Sequence, residues 1–217
     1  FKLQKVKDAL NAAIVASAQN LDFVNSDEKV ALIIDQSGSM GGRGYSWFGG
    51  SSEGSDPWDH AIILAATVYT AFPRGNVVVY KFSGHCEKCD FGDMSPLDII
   101  ENTPHDGGST YFHAPFERML KTGTKVDKAI MFSDMQLYST YGAGDTFTQY
   151  FNEYKRKLSP KLKFLFWNLQ PYSGATPLEL KNDVLLAAGF SDKLLSVIPK
   201  MWRDPEALVK EIEAIQL

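Results

Sequence analysis

Five short apolar runs, spread evenly along the chain, constrain the fold more than any other feature of the sequence. They lie at residues 29–34, 76–82, 129–133, 162–169 and 184–188. The runs are apolar on both sides, as buried parallel strands are, and helical patterns lie between them. This alternation predicts an α/β fold: a doubly wound, mainly parallel central sheet with helices on both faces.

Two start signals place the inner helices. Asp56-Pro57-Trp58-Asp59 and Ser95-Pro96-Leu97-Asp98 each give a cap, a proline at the first helical position and an acid. Further helices are predicted over 3–18, 112–121 and 145–158, and two more begin at Ser191 and at Asp204-Pro205. In the first helix we expect one apolar face, formed by Leu3, Val6, Leu10, Ala13, Ile14 and Ala18.

Length and composition narrow the class of protein. We interpret residues 1–217 as a single domain of this fold, with residues 1–24 as a helical extension. The chain has no apolar run long enough to span a membrane, and its start lacks the order of a secretion signal. A net charge of −4 does not favour non-specific nucleic-acid binding. The sequence has only two cysteines, too few for a disulfide scaffold, which indicates a reducing, cytoplasmic setting.

The first strand runs directly into oxygen-bearing side chains, in the segment ALIIDQSGSM at 31–40. Asp35, Ser37 and Ser39 are spaced by two, and Gly38 allows a tight turn between the serines. Asp134 follows another strand, and ligands of such sheets bind beyond the strands' carboxyl ends. Carboxylate and hydroxyl oxygens suit Mg²⁺, with Mn²⁺ or Ca²⁺ left open.

Three segments together resemble a known metal site. The Asp35-x-Ser37-x-Ser39 motif with SGSM intact is similar to the metal-ion-dependent adhesion site (MIDAS) of the von Willebrand factor A (VWA) domain. That family also uses a threonine from a second loop and an aspartate from a third. GGST at 107–110 supplies Thr110, with Ser109 as a competing ligand, and FSD at 132–134 supplies Asp134.

A narrower resemblance covers most of the chain. The segments KVKDALNAAIVASAQN, VVVYKFS, KAIMFSDMQ, LKFLFWNL and VLLAAGFSDKLLSVIP are similar to the C-terminal VWA domain of the Ro (TROVE) ribonucleoprotein family. Ro proteins also carry a large helical-repeat ring that holds RNA, for which this sequence has no room. The resemblance therefore implies a VWA/Rossmann-like fold and does not carry over RNA binding by the ring.

The VWA resemblance implies a binding function without catalysis. Ser37, Ser39 and Thr110 would contact the metal directly or through water, while Asp35 and Asp134 would hold waters and serines in place. An exposed Asp or Glu of a protein partner would fill the open coordination position. The predicted function is thus metal-dependent capture of an acidic group, in a protein that is not an enzyme.

Two other functions stay open at this stage. The loop at 41–55 contains Arg43, Tyr45, Trp47 and Phe48, which could stack on RNA bases or form a protein contact. We therefore include these four residues, and His113 beside the Thr110 loop, as candidate partner-binding residues. A Ro-type, RNA-associated module is the alternative function. A metal-dependent phosphohydrolase with Asp35 as nucleophile is weaker, because Ser37 stands where a second aspartate is usual.

The HCEKC segment at 85–89 has two readings. Cys86 and Cys89 could form a redox pair, or half a zinc site with His85 and a distant ligand such as His105. The simpler reading is two ordinary cysteines in a surface loop, because further ligands are not evident.

Overall fold

The computed structural model describes residues 2–19, 27–41, 55–136, 143–170, 178–180, 183–204, 210 and 213. The strands are β1 (Val30–Asp35), β2 (Val77–Phe82), β3 (Cys86–Cys89), β4 (Lys128–Ser133), β5 (Lys163–Asn168) and β6 (Val184–Ala188). The helices are α1 (Lys2–Gln19), α2 (Pro57–Ala71), α3 (Pro96–Asn102), α4 (Ala114–Thr122), α5 (Ala143–Lys157) and α6 (Asp192–Arg203). The predicted second closing helix, from Asp204-Pro205, falls mostly outside the described residues.

The strands form one six-stranded sheet in the order β3-β2-β1-β4-β5-β6. All neighbours are parallel except β2 and β3, which are antiparallel. The mainly parallel, doubly wound sheet predicted from the sequence is therefore confirmed. The chain winds outward from β1 in both directions, so strand order reverses between β1 and β4, the position where such sheets bind ligands.

Each face of the sheet buries its own apolar cluster. One cluster joins alternate sheet residues to α2, α3 and α6, and its largest fully buried side chains are Trp167 and Trp202. The other joins the opposite set to α4 and α5 and is rich in phenylalanine. Because both faces are covered by helices, the strands read as continuous apolar runs in the sequence.

The predicted start signals act as expected in α2 and α3. Each helix has proline in its first turn and a capping box. In α3 the Asp98 backbone N–H donates to Ser95 Oγ, and the Ser95 backbone N–H donates to the Asp98 carboxylate, both at 3.2 Å. These bonds satisfy backbone donors that the first turn leaves free.

Helix α1 forms as predicted, but the expected apolar face packs only toward the end of the helix, where Ala18 is buried and Ile14 is half-buried. Leu3, Val6 and Leu10 are 70%, 54% and 50% exposed. The side that packs carries Lys7, which pairs with Glu101, and Asn11, whose Oδ1 accepts from the Leu97 backbone N–H. Polar contacts with α3 therefore contribute to the orientation of α1. Among the described residues, no helix has the length and apolar character that a membrane span requires.

Candidate metal centre

Asp35 links the loop after β1 to the end of the neighbouring strand β4. It is the last residue of β1 and is fully buried. The Ser37 backbone N–H donates to its Oδ1 at 2.8 Å, and Ser133 Oγ donates to its Oδ2 at 2.7 Å. Since each carboxylate oxygen accepts one of these hydrogen bonds, Asp35 holds the turn in shape.

The two serine hydroxyls of the motif lie close together. After Ser37 the chain makes a short 3₁₀ turn over Gly38–Met40, which brings Ser39 back toward Ser37. Residues 37–40 form the serine turn. The two Oγ atoms are 3.3 Å apart. Neighbouring oxygens on an octahedral Mg²⁺ ion are separated by about 3 Å, because each bond is about 2.1 Å long. The two hydroxyls thus fit adjacent positions on one small cation.

Asp134, unlike Asp35, has an unpartnered carboxylate oxygen in the part of the chain that the structure describes. It follows β4, is fully buried, and its Oδ1 accepts from the Gln136 backbone N–H at 3.1 Å. Its own N–H donates to Met40 Sδ at 3.2 Å, which ties it to the serine turn. Its Oδ2 is buried without a hydrogen-bond partner in the described structure. Such an oxygen is costly unless a cation or a water completes it.

Burial sets the protonation of both carboxyls. It raises the pKa of Asp35 to about 6, and the negative charge of Asp134 adds to the rise, while hydrogen bonds from Ser133 and Ser37 oppose it. Burial likewise raises the pKa of Asp134, while the Gln136 N–H and the nearby Ser39 hydroxyl oppose the rise. Two buried carboxyls that resist ionisation side by side are the environment in which a bound cation gains most, because it favours the charged forms.

The turn that aims Asp134 is strained. Met135 has a φ of 57°, a left-handed conformation that non-glycine residues rarely adopt. Its N–H donates to Ser133 Oγ at 2.9 Å, and its side chain is buried. Left-handed backbone at such a residue costs of order 1–3 kcal/mol, and strain of this kind is typical of functional turns.

Backbone hydrogen bonds join the loop that carries Thr110 to the loops after β1 and β2. The Gly38 N–H donates to the Gly108 carbonyl at 2.9 Å, and the Tyr111 N–H donates to the Ser83 carbonyl at 2.9 Å. Thr110, between these two anchors, is half-buried, whereas the competing Ser109 is exposed. The five residues predicted as metal ligands thus lie at the end of β1 or in loops that contact one another at the carboxyl ends of β1, β2 and β4.

A side chain at Gly108 is expected to destabilise the fold. Its φ is +111°, and a Cβ there would lie 3.2 Å from Ser83 Oγ. We expect Gly108→Ala to lower the free energy of unfolding by about 1–3 kcal/mol, because backbone strain and crowding add. Gly75→Ala is the control, since its φ is not in the left-handed region and nothing lies within 4 Å. Urea unfolding that finds the two variants equally stable would contradict this account.

His105 is a site residue that the motif does not contain. Its Nε2 lies 2.9 Å from the Ser37 carbonyl oxygen and would donate to it in the Nε2–H tautomer. The ring packs against Trp58, with centroids 5.3 Å apart. It also fills the space beside Gly41, where a Cβ would lie 2.5 Å from the ring. His105 therefore supports the serine turn from outside, and sequence spacing gave no signal for it.

The predicted partner-binding residues divide into two groups. Arg43, Tyr45, Trp47 and Phe48 lie outside the described residues, so their role stays a prediction. His113 stacks on Tyr111 and on Tyr150, with ring centroids 5.6 and 5.4 Å away. Burial lowers its pKa, so the ring is biased toward the neutral form. His113 lies three residues from Thr110, within an aromatic stack whose outer member, Tyr111, is 49% exposed.

The HCEKC segment is a strand rather than the surface loop expected. Cys86 packs on one face of the sheet and Cys89 on the other, so the two thiols point apart and cannot pair. Burial raises the pKa of Cys86 to about 12 and also raises that of Cys89, which leaves both as poor nucleophiles. Within the described ranges, no group of three or more His, Cys, Asp or Glu side chains could hold a metal. The predicted ligand set of the VWA-type site contains only two such side chains, Asp35 and Asp134, because its other members are hydroxyl residues.

The sequence finds no match among protein-family models and none among curated proteins. Solved structures do match the fold. The Ro (RSR) protein of Deinococcus radiodurans is similar at a TM-score of 0.61 and 18% identity, over 92% of this chain. The match covers 38% of the Ro chain, so this chain spans well under half of that protein's length.

Two further structures share the architecture. An aerotolerance-related membrane protein from Bacteroides fragilis matches at a TM-score of 0.50 and 11% identity, over 81% of this chain and 98% of its own. Proximal thread matrix protein 1 of the mussel byssus matches at a TM-score of 0.50 and 12% identity, over 83% of this chain and 48% of its own. With the strand order and the parallel register, these likenesses support a VWA-like fold for this chain.

Proposed function

We propose that this chain is an interaction module that holds a divalent cation, with Mg²⁺ the best fit, and uses it to capture an acidic side chain of a protein partner. One observation carries the proposal: the buried Asp134 Oδ2 is left without a partner in the described structure, at a strand end that contacts the serine turn. Hydroxyls and carboxylates without thiolate or imidazole are the ligands of a hard cation.

The residues would divide the work by position. Ser37, Ser39 and Thr110 would contact the ion directly or through water, and Asp134 would contribute Oδ2 or orient a bound water. Asp35 would orient the serine ligands, because its two oxygens accept hydrogen bonds from Ser37 and Ser133. The bound ion would supply positive charge that the protein's own ligands leave incompletely neutralised, and this charge attracts an anionic group.

The same geometry disfavours the phosphohydrolase hypothesis. A nucleophilic aspartate needs a carboxylate oxygen that a substrate can reach. Both oxygens of Asp35 accept hydrogen bonds, at 2.8 and 2.7 Å, and the residue is fully buried. Binding is therefore the better-supported function for this set of side chains.

Metal binding is tested by titrating the metal-free protein with Mg²⁺ in a calorimeter. We expect saturable binding at one site per chain, and a rise in melting temperature with Mg²⁺ concentration, because a ligand of the folded state stabilises it. Asp35→Ala should remove both effects, because the serine turn loses its anchor. Identical heats for wild type and Asp35→Ala would contradict the proposal.

Capture of an acidic group is tested with a displayed random peptide library. Peptides enriched on the protein in Mg²⁺ should carry an Asp or Glu whose replacement by Asn or Gln abolishes binding. The same peptides should be released by a chelator. Enrichment that is equal with and without Mg²⁺, or that selects no acid, would count against capture of an acidic group.

A Ro-type, RNA-associated module is the second candidate, supported by the likeness in fold to Ro over 92% of this chain. It is tested by titrating the protein into a structured RNA at low salt. RNA binding that persists without metal and falls in Trp47→Ala would favour it. No RNA binding under these conditions would remove it.

A further inference from the structure

A buried ammonium group lies at the sheet edge beside the candidate metal centre. Lys81, on β2, is 6% exposed. Its Nζ donates to the Pro104 carbonyl at 3.3 Å and to Asp106 Oδ2 at 3.1 Å, and it pairs with Glu87 Oε1 at 3.0 Å. A charge buried this far requires such partners, and three of them surround it.

The three partners belong to two different parts of the fold. Glu87 lies opposite Lys81 on the neighbouring strand β3, where the two residues are in register. Pro104 and Asp106 belong instead to the segment that runs from Thr103, after α3, to Thr110. Lys81 therefore joins the sheet edge to the segment that carries a predicted metal ligand.

The same segment also contacts the serine turn. His105 Nε2 lies 2.9 Å from the Ser37 carbonyl oxygen, and the Gly108 carbonyl accepts from the Gly38 N–H at 2.9 Å. Along the chain, contacts to Lys81 at Pro104 and Asp106 alternate with contacts to the turn at His105 and Gly108. A segment fixed on both sides in this way has little freedom to shift.

We propose that Lys81 is a positioning residue for the metal site: its ammonium holds residues 103–110 against β2, so that Thr110 and the serine turn face the same point. The inference rests on the proposed metal-binding function and deepens it. Lys81 contacts this loop at residues 104 and 106, and through the loop it acts on the ion.

Electrostatics and positioning predict opposite changes in Mg²⁺ affinity for one substitution. Lys81→Met removes a positive charge, which by Coulomb's law alone would strengthen binding of a cation. Loss of the anchor would instead weaken binding, because Thr110 is no longer held toward the serines. A fall in Mg²⁺ affinity in Lys81→Met therefore identifies positioning.

Two carboxylates provide a matched pair of variants. Asp106 and Glu87 bind the same ammonium, and their side chains are 53% and 43% exposed. Asp106→Asn weakens the anchor of the loop, whereas Glu87→Gln weakens only the contact with β3. Each removes one negative charge, so the two variants change the net charge of the protein equally.

The experiment measures Mg²⁺ affinity by calorimetry and melting temperature without metal, for wild type, Lys81→Met, Asp106→Asn and Glu87→Gln. We expect roughly 10-fold or more loss of affinity in Lys81→Met and Asp106→Asn, the size of effect seen when residues that orient ligands are changed. Glu87→Gln should stay within about threefold of wild type. If Lys81→Met fails to fold, the two carboxylate variants decide.

Equal affinities for Asp106→Asn and Glu87→Gln would overturn the positioning role, as would a Lys81→Met protein that binds Mg²⁺ as tightly as wild type or more tightly. Failure of the underlying function looks different. In that case wild type itself would show no Mg²⁺ binding, and the positioning role would fall with it.

Discussion

Asp134→Asn is expected to lower the affinity for Mg²⁺ at least about 100-fold, which is the upper end of the effect of changing a residue that only orients a ligand. The amide keeps Oδ1, which accepts from the Gln136 N–H. It replaces the buried, unpartnered Oδ2 by a neutral amide nitrogen that cannot bind a cation. Calorimetric titration with Mg²⁺ measures the loss.

Asp93→Asn is the control for this prediction. It also removes one negative charge, but its side chain is fully exposed and pairs with Arg74, just before β2 and thus at the opposite end of the parallel strands. We expect its Mg²⁺ affinity to match wild type. If both variants bind equally well, the ion is not held at Asp134. The melting temperature of Asp134→Asn without metal should not fall, because the variant removes a buried charge.

Phe116→Ala is expected to lower the free energy of unfolding by about 3–5 kcal/mol, the usual cost of removing a buried phenylalanine ring. Phe116 is fully buried in α4. Its ring makes edge contacts, at centroid distances of 5.3–5.6 Å, with Phe147, Phe151, Tyr154 and Phe164. Edge-to-face pairs add stability beyond the area that they bury.

Phe190→Ala provides the same chemical change at the surface. Phe190 is 49% exposed and stacks on His60. We expect a cost below about 1 kcal/mol, in line with surface substitutions. Urea unfolding of both variants gives the comparison. A similar loss in the two proteins would show that the α4–α5 cluster is not the tightly packed core described above.

The sheet and its loops could be predicted because their signals are local. Each apolar run became a strand within one or two residues, since a buried parallel strand must be apolar on both sides. The segments DQSGSM, GGST and FSD follow or precede such elements directly, and parallel strands place their carboxyl ends at one edge. The joint position of Asp35 and Asp134 follows from that topology, whereas Thr110, between α3 and α4, was predicted from the resemblance to the VWA family.

Contacts between distant segments could not be predicted in the same way. His105 and Lys81 reach the site from residues that no motif marks, because their partners are fixed only when the sheet is complete. The HCEKC segment was expected in a loop, yet it pairs with β2 as an edge strand. In α1, Lys7 and Asn11 make polar contacts on the packed side, whereas Leu3, Val6 and Leu10 of the predicted apolar face stay exposed.

The most direct test is a crystal of the protein soaked in Mn²⁺, with the ion located by its anomalous scattering. We expect one strong peak at the carboxyl ends of β1 and β4, about 2.0–2.6 Å from Ser37 Oγ and Ser39 Oγ, with Thr110 and Asp134 in contact directly or through water. Mg²⁺ in excess should displace it. A fully soaked crystal with no peak there, or with Mn²⁺ bound only elsewhere, would contradict the account.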